Sequence, residues 1–71
     1  MILTKGVYKM EYEVTIYYND FNSQPAIIED CSSVEIKRDN ILVKGRGFQK
    51  IFFKDNIKQI SAGYRVRIYV K

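Results

Sequence analysis

The chain has 71 residues, of which 46% are hydrophobic and 14% aromatic, and its formal net charge is +4 at pH 7. A chain of this length predicts a single domain over residues 1–71, and its apolar composition excludes a disordered tail. It contains no histidine, the commonest general base and metal ligand, and its one cysteine, Cys31, cannot form an internal disulfide.

The first predicted element is a long strand over residues 7–18. Its alternating pattern puts six apolar or aromatic side chains on one face, namely Tyr8, Met10, Tyr12, Val14, Ile16 and Tyr18. At about 3.3 Å per residue this strand would be about 40 Å long, whereas a compact chain of this length is only about 29 Å across. We therefore expect the strand to bend, to carry a bulge or to project as an arm toward a second copy.

The middle of the chain predicts short strands separated by turns. Residues 19–25 are rich in turn-forming residues, which indicates a loop, and a short strand over residues 26–30 follows. A helical turn beginning at Pro25 is the alternative, because proline suits the first helical position. A turn over residues 30–33 then leads into a tight hairpin, whose own turn lies at residues 38–40.

The remaining segments predict a second hairpin and a last strand. The turn of the second hairpin consists of Gly45, Arg46 and Gly47. The strand after it places Ile51 and Phe53 on one face, and its outward face carries Phe48, Lys50, Phe52 and Lys54. Residues 57–60 suit one short strand or a single 3₁₀ turn, and residues 61–63 suit a turn. The last strand, over residues 64–71, alternates apolar residues with Arg65, Arg67, Tyr69 and Lys71.

About six short strands joined by turns predict an all-β antiparallel meander that closes into a small barrel or rolls up. SH3-like or Sm-like barrels, OB-like barrels and PH-like rolls all share this pattern. The segment from Asp39 to Ile60 combines a hairpin, an apolar strand ending in Lys54-Asp55 and a short isoleucine-bounded element, and it resembles the later strands of an Sm-like barrel. This resemblance covers less than a third of the chain and implies fold only.

Positive charge is concentrated in the second part of the chain. Residues 1–33 contain two lysines and five acids, a net of −3, whereas residues 34–71 contain ten Lys or Arg and three acids, a net of +7. Strand alternation turns many of these cations outward among aromatic side chains, which predicts a basic, aromatic-studded binding face. Its candidate residues are Lys44, Arg46, Phe48, Lys50, Phe52, Lys54, Arg65, Arg67 and Tyr69.

The sequence offers no recognisable catalytic, cofactor or metal site. Carboxylates alone remain for chemistry, and they lie where exposed strand faces and turns ordinarily carry charge, so we expect no enzyme, no cofactor and no metal. No segment approaches the roughly 18 to 20 uninterrupted apolar residues of a membrane span, and the start lacks the apolar core of a signal peptide. We therefore expect no membrane association and a cytoplasmic location.

Two non-enzymatic functions remain. A protein-interaction or oligomerising module, acting on a larger partner or as a homodimer, ranks first because more aromatic side chains point outward than a small monomer usually exposes. Nucleic-acid binding by the basic face is the alternative, with cations along phosphates and aromatic rings stacked on bases. The two-residue spacing of Glu11 and Glu13 matches that of Arg65 and Arg67, so pairing the first strand with the last would neutralise both arginines.

In composition the chain resembles small uncharacterised all-β proteins encoded by phages and other mobile elements of AT-rich bacteria. The resemblance rests on the initial Met1, the short-strand pattern and the abundance of Ile, Lys, Tyr and Asn. It implies an accessory or host-directed role, in which the protein acts by binding something larger.

Overall fold

The structure, a computed structural model, describes residues 1–6 and 11–71. This part of the chain is all-β, as the sequence predicts. Its strands are β1 (Ile2–Gly6), β2 (Val14–Tyr18), β3 (Ala26–Ile28), β4 (Cys31–Ile36), β5 (Asn40–Gly45), β6 (Phe48–Phe53), β7 (Ile57–Gly63) and β8 (Arg67–Val70). A 3₁₀ turn over Lys54–Asn56 leads into β7.

The strands form two four-stranded sheets, and the predicted closed barrel of about six strands is not confirmed. The first sheet has the order β1-β7-β2-β3 and the second has the order β6-β5-β4-β8. β1 runs parallel to β7, and β8 runs parallel to β4, so the sheets are mixed and the fully antiparallel meander is wrong. Both parallel pairs join strands distant in sequence, which the periodicity within one strand cannot reveal.

One hydrophobic core lies between the facing sides of the two sheets. The first sheet contributes Val14, Ile16 and Ile60, and the second contributes Val34 and Val43; all five are fully buried. Fully burying a side chain of this size stabilises the fold by about 1.5–3 kcal/mol. Because neighbouring residues of a strand point to opposite faces, these core positions determine which side chains turn toward solvent.

The strand predicted over residues 7–18 is shorter in the structure. Residues 7–10 lie outside the described residues, residues 11 and 12 form a turn, and β2 begins at Val14. Val14 and Ile16 are buried and Tyr18 packs against the core, as the alternation predicts. The register between β2 and β7 shifts at Tyr17 and Tyr18, which pair with Gln59 and Ile57 and leave Lys58 without a direct partner. The extra residue therefore belongs to β7 and not to the strand in which a bulge was predicted.

Both hairpins are confirmed, but two predicted turns are wrong. The turn predicted over residues 30–33 is replaced by Asp30 alone, whose φ of 59° lets the chain reverse before β4 begins at Cys31. Aspartate tolerates this left-handed conformation better than most residues. The turn predicted over residues 61–63 lies inside β7, which pairs with β1 on one side and β2 on the other. β3 forms in place of the alternative helical turn at Pro25.

The two faces of β6 are the reverse of the prediction. Phe48 and Phe52 pack against the core, whereas Ile51 and Phe53 are 64% and 72% exposed. The register explains this, because Phe52 lies opposite Ile41, a fully buried residue, and directly paired residues share a face. β6 carries apolar residues on both faces, so alternation alone could not decide which face is buried.

Candidate binding surfaces

The outer face of the second sheet, the side turned away from the core, combines apolar and basic side chains. Its central row, taken across β8, β4, β5 and β6, consists of Tyr69, Glu35, Leu42 and Ile51. Phe53 lies two residues beyond Ile51 and therefore on the same face. Leu42 is buried beneath its neighbours, whereas Ile51 and Phe53 present most of their surface to solvent. The exposed apolar area lies toward the β6 side of the sheet.

Glu35 is held at the centre of this face by two lysines. Its Oε2 lies 2.9 Å from Nζ of Lys44, and its Oε1 lies 3.0 Å from Nζ of Lys71. The hydrogen bond from Lys44, followed by that from Lys71, lowers the pKa of Glu35 to about 2. Arg67 adds a further cation, because it pairs with Ser33 in the row that contains Lys44. The named cations outnumber the single carboxylate, and the face is basic.

A second surface lies where the two sheets meet, and the segment over residues 11–13 builds it. The carbonyl oxygens of Glu11 and Glu13 accept hydrogen bonds from the backbone N–H groups of Arg65 and Gly63, at 3.1 and 2.7 Å. Between them, the Tyr12 carbonyl accepts a hydrogen bond from Cys31 N–H at 2.8 Å. The segment therefore ties the β7–β8 connection to the start of β4 and fixes Tyr12 at this corner.

Two adjoining cavities form what we call the corner groove. One, of about 600 Å³, is lined by Tyr12, Asp30, Cys31, Ser32, Gly45 and Arg46. The other, of about 530 Å³, is lined by Tyr12, Ser32, Ser33, Arg65, Arg67 and Tyr69. Tyr12 and Ser32 belong to both cavities, so the groove passes from Arg46 at one end to Arg65 and Arg67 at the other.

Arg65 is fixed in this groove by acidic and aromatic neighbours. Its Nε lies 3.4 Å from Oε2 of Glu11, and its guanidinium carbon lies 5.7 Å from the centre of the Tyr64 ring. The Tyr64 hydroxyl donates to Oε1 of Glu11 at 2.5 Å. Hydrogen bonding to Tyr64 and Tyr12, together with the charge of Glu11, raises the pKa of Arg65. The guanidinium is charged and pre-oriented.

Pairing of the first predicted strand with the last would neutralise both arginines, but β2 lies between β7 and β3 and only one glutamate–arginine ion pair forms among the described residues. Glu11 pairs with Arg65, but Glu13 lies opposite Gly63 because the backbone pairing is antiparallel. Within residues 1–6 and 11–71, Arg67 has no ion-pair partner, and the same is true of Arg46. These two arginines keep their charge available for a ligand.

The structure divides the predicted binding face between several places. The outer face carries Lys44, Arg67 and Tyr69. The corner groove contains Arg46 and Arg65, and it is also lined by Arg67 and Tyr69. Phe48 and Phe52 belong to the core side, Lys50 pairs with the core residue Val43, and Lys54 Nζ donates to the Lys37 carbonyl at 3.4 Å.

The sequence reasoning missed Ile51 and Phe53 as surface residues and did not place Tyr12 or Ser32 at a site. The outward position of Ile51 and Phe53 follows from the register of β5 with β6, and this register cannot be read from the sequence. Tyr12 and Ser32 are brought together by the hydrogen bond between the Tyr12 carbonyl and Cys31 N–H, a contact between segments far apart in the chain.

One nucleophilic side chain, that of Cys31, borders the corner groove. Burial raises the pKa of the Cys31 thiol to about 11, so the thiol beside the groove stays protonated and is a poor nucleophile. In the part of the chain that the structure describes, no three His, Cys, Asp or Glu side chains converge as a metal site would require. The same residues contain no helix long and apolar enough to cross a membrane.

Comparison of the chain with protein-family models, with curated proteins and with solved structures gives no match.

Proposed function

We propose that this protein is a non-enzymatic protein-binding module that docks an acidic partner protein on the outer face of its second sheet. The observation that carries this proposal is the exposure of Ile51 and Phe53, at 64% and 72%, beside Leu42 on one sheet face. An exposed apolar patch bordered by charged side chains is typical of a protein–protein interface.

The partner covers the face rather than extending the sheet. Among the described strands β6 pairs only with β5, so its other side is a free edge. Lys50 stands in the middle of that edge on the core-facing side, and an inward-pointing charge is a device that opposes pairing with a further strand. Docking through the outward side chains of Ile51 and Phe53 avoids this obstacle.

The charge of the face selects the kind of partner. Lys44, Lys71 and Arg67 surround one carboxylate, that of Glu35, which leaves the face positive. Two copies packed face to face would bring these cations together, and like charges across an interface oppose association. An acidic protein that presents apolar side chains complements both the charge of the face and its exposed apolar patch.

The test uses a matched pair of substitutions, because Ile27 on β3 of the first sheet has the same 64% exposure as Ile51. Nuclease-treated lysate is passed over the wild-type protein, Ile51→Ser and Ile27→Ser. We expect an acidic protein to bind the wild type and Ile27→Ser and to be lost from Ile51→Ser. That protein, once purified, is expected to bind about 10- to 30-fold more weakly to Phe53→Ser, as for an interface anchor.

Two results would contradict the proposal. Equal loss of the captured protein from Ile27→Ser and Ile51→Ser would show that the outer face of the second sheet is not the docking site. A wild-type dimer in sedimentation that Ile51→Ser converts to a monomer would assign the face to a second copy of the chain instead.

A further inference from the structure

The corner groove is a second surface, separate from the exposed Ile51 and Phe53. It lies at the end of the second sheet where β4 begins and β5 ends, whereas Phe53 lies at the opposite end of the β5–β6 hairpin, across from Asn40. Its lining combines three guanidinium groups, two tyrosine rings and two serines. From this composition we propose that the corner groove binds single-stranded nucleic acid.

The phosphate contacts come from the two arginines at the ends of the groove. Arg46 and Arg67 have no ion-pair partner within the described ranges, so neither must break a contact to meet a phosphate. Arginine suits this role because its planar guanidinium can donate two parallel hydrogen bonds to one phosphate group. Tyr12 and Ser32 lie between the two arginines, so a strand that reaches both crosses these residues.

The base contacts come from the tyrosines. Tyr12 and Tyr69 line the groove and are 45% and 44% exposed, so part of each ring is open to a ligand. A base can stack on such a ring only when it is unpaired, which favours a single strand over a duplex. All four bases can stack on an aromatic ring. The groove is therefore expected to distinguish single strands from duplexes more strongly than one base sequence from another.

Two carboxylates limit the strength of this site. Glu11 is committed to Arg65 at 3.4 Å, and Asp30 lines the cavity that contains Arg46. The phosphates are therefore contacted mainly by Arg46 and Arg67, while Arg65 stays paired with Glu11 beside them. For single strands the logarithm of the affinity falls with the logarithm of the salt concentration by about 0.7 per phosphate neutralised. Two such contacts predict a slope of about −1.4.

The experiment measures binding of a fluorescent oligothymidylate of about 12 nucleotides, with a duplex of the same length as comparison, over a range of salt concentrations. The wild type is expected to prefer the single strand. Arg67→Ser and Arg46→Ser are each expected to reduce the salt slope by about 0.7. Tyr12→Leu and Tyr69→Leu are each expected to weaken binding by about 5- to 100-fold while the slope stays unchanged.

Matched controls separate the groove from general positive charge. Arg38→Ser removes the same charge from the exposed turn between β4 and β5, about 20 Å along the strand from Ser32 at about 3.3 Å per residue. Phe21→Leu removes an aromatic ring that is 92% exposed on the loop between β2 and β3. Both controls are expected to bind as the wild type does.

Equal weakening by Arg38→Ser and Arg67→Ser would overturn the proposal, because the oligonucleotide would then be attracted by net charge alone. Unchanged affinity in Tyr12→Leu and Tyr69→Leu, with folding verified by circular dichroism, would also overturn it. Ile51→Ser is expected to leave oligonucleotide binding intact, and loss of binding in that variant would place the oligonucleotide on the outer face instead.

Discussion

The ring of Phe48 lies against Gly45 across the β5–β6 hairpin and fills the space that a side chain at position 45 would occupy. The two residues are direct partners in the register. A Cβ placed on Gly45 would collide with the Phe48 ring and would lie 2.5 Å from the carbonyl oxygen of Asp30. Glycine at position 45 therefore lets Phe48 reach the core and lets the β3–β4 turn approach β5.

We expect Gly45→Ala to lower the free energy of unfolding by about 1–3 kcal/mol, because the added methyl group overpacks this contact. Chemical denaturation measures the change. Truncating the ring in Phe48→Ala frees part of the space, so the Gly45→Ala substitution is expected to cost less in the Phe48→Ala background. Equal costs in the two backgrounds would contradict the role of Phe48, although the Asp30 carbonyl retains part of the clash.

Gly47 provides the contrasting case in the same hairpin. It adopts a φ of +80°, but no atom lies within 4 Å of a Cβ placed there. Gly47→Ala is therefore expected to cost only the backbone strain of a left-handed residue, about 1–2 kcal/mol, and to be insensitive to Phe48→Ala. Strong coupling between positions 47 and 48 in a double-mutant cycle would contradict this distinction.

The ion pairs of Glu35 are expected to make part of the free energy of unfolding sensitive to acid. Its folded pKa of about 2 lies below the ordinary value of 4.5, so its ion pairs stabilise the fold fully above pH 4.5 and are lost as the pH falls toward 2. The difference in unfolding free energy between the wild type and Glu35→Gln is expected to shrink across this window. Urea denaturation at several pH values measures it, and a difference that stays constant from pH 5 to pH 2 would contradict the assignment.

Much of the fold could be predicted from local pattern. The alternation of Val14 with Ile16 and of Val34 with Ile36 correctly identified core-facing positions, since these strands are apolar on one face only. The turn residues at 38–40 and 45–47 correctly placed both hairpins. What local pattern could not provide was the pairing of β1 with β7 and of β8 with β4, which depends on contacts between distant segments.

The candidate site was harder to predict than the fold. The sequence showed a basic second half and left open whether Glu11 and Glu13 neutralise the two arginines, of which Arg65 pairs with Glu11 in the structure. It put Phe48 and Phe52 on the surface because β6 is apolar on both sides, and only its register with β5 determines that Ile51 and Phe53 face outward. The corner groove needs residues from four separate segments, and no spacing in the sequence brings Tyr12, Arg46 and Arg67 together.

The core is expected to be intolerant of truncation, because so short a chain has little stability to lose. Ile16 is fully buried and pairs with Ile60, which is also fully buried. Ile16→Ala is expected to cost about 2–5 kcal/mol, a large part of the roughly 5–10 kcal/mol typical of a small domain. The same change at exposed Ile27 is expected to cost under about 1 kcal/mol, since surface substitutions have small effects. Comparable losses at both positions, measured by thermal unfolding, would contradict the assigned core.

Cys31 provides a probe of opening at the junction of the two sheets. Its side chain is fully buried, its Sγ donates to the Ile28 carbonyl at 3.4 Å, and burial raises the pKa of the thiol to about 11. At pH 8 we expect Ellman's reagent to reach the thiol of the folded protein only when the junction of the two sheets opens. In denaturant the thiol is expected to react at once. Above pH 9 the thiol ionises in the unfolded chain but not in the folded protein, which favours unfolding. The free energy of unfolding is therefore expected to fall as the pH rises from 9 to 11. Cys31→Ala should lack this loss. Rapid labelling of the native protein would contradict the burial, and because Cys31 N–H is bonded to Tyr12, it would also show that the corner groove opens readily.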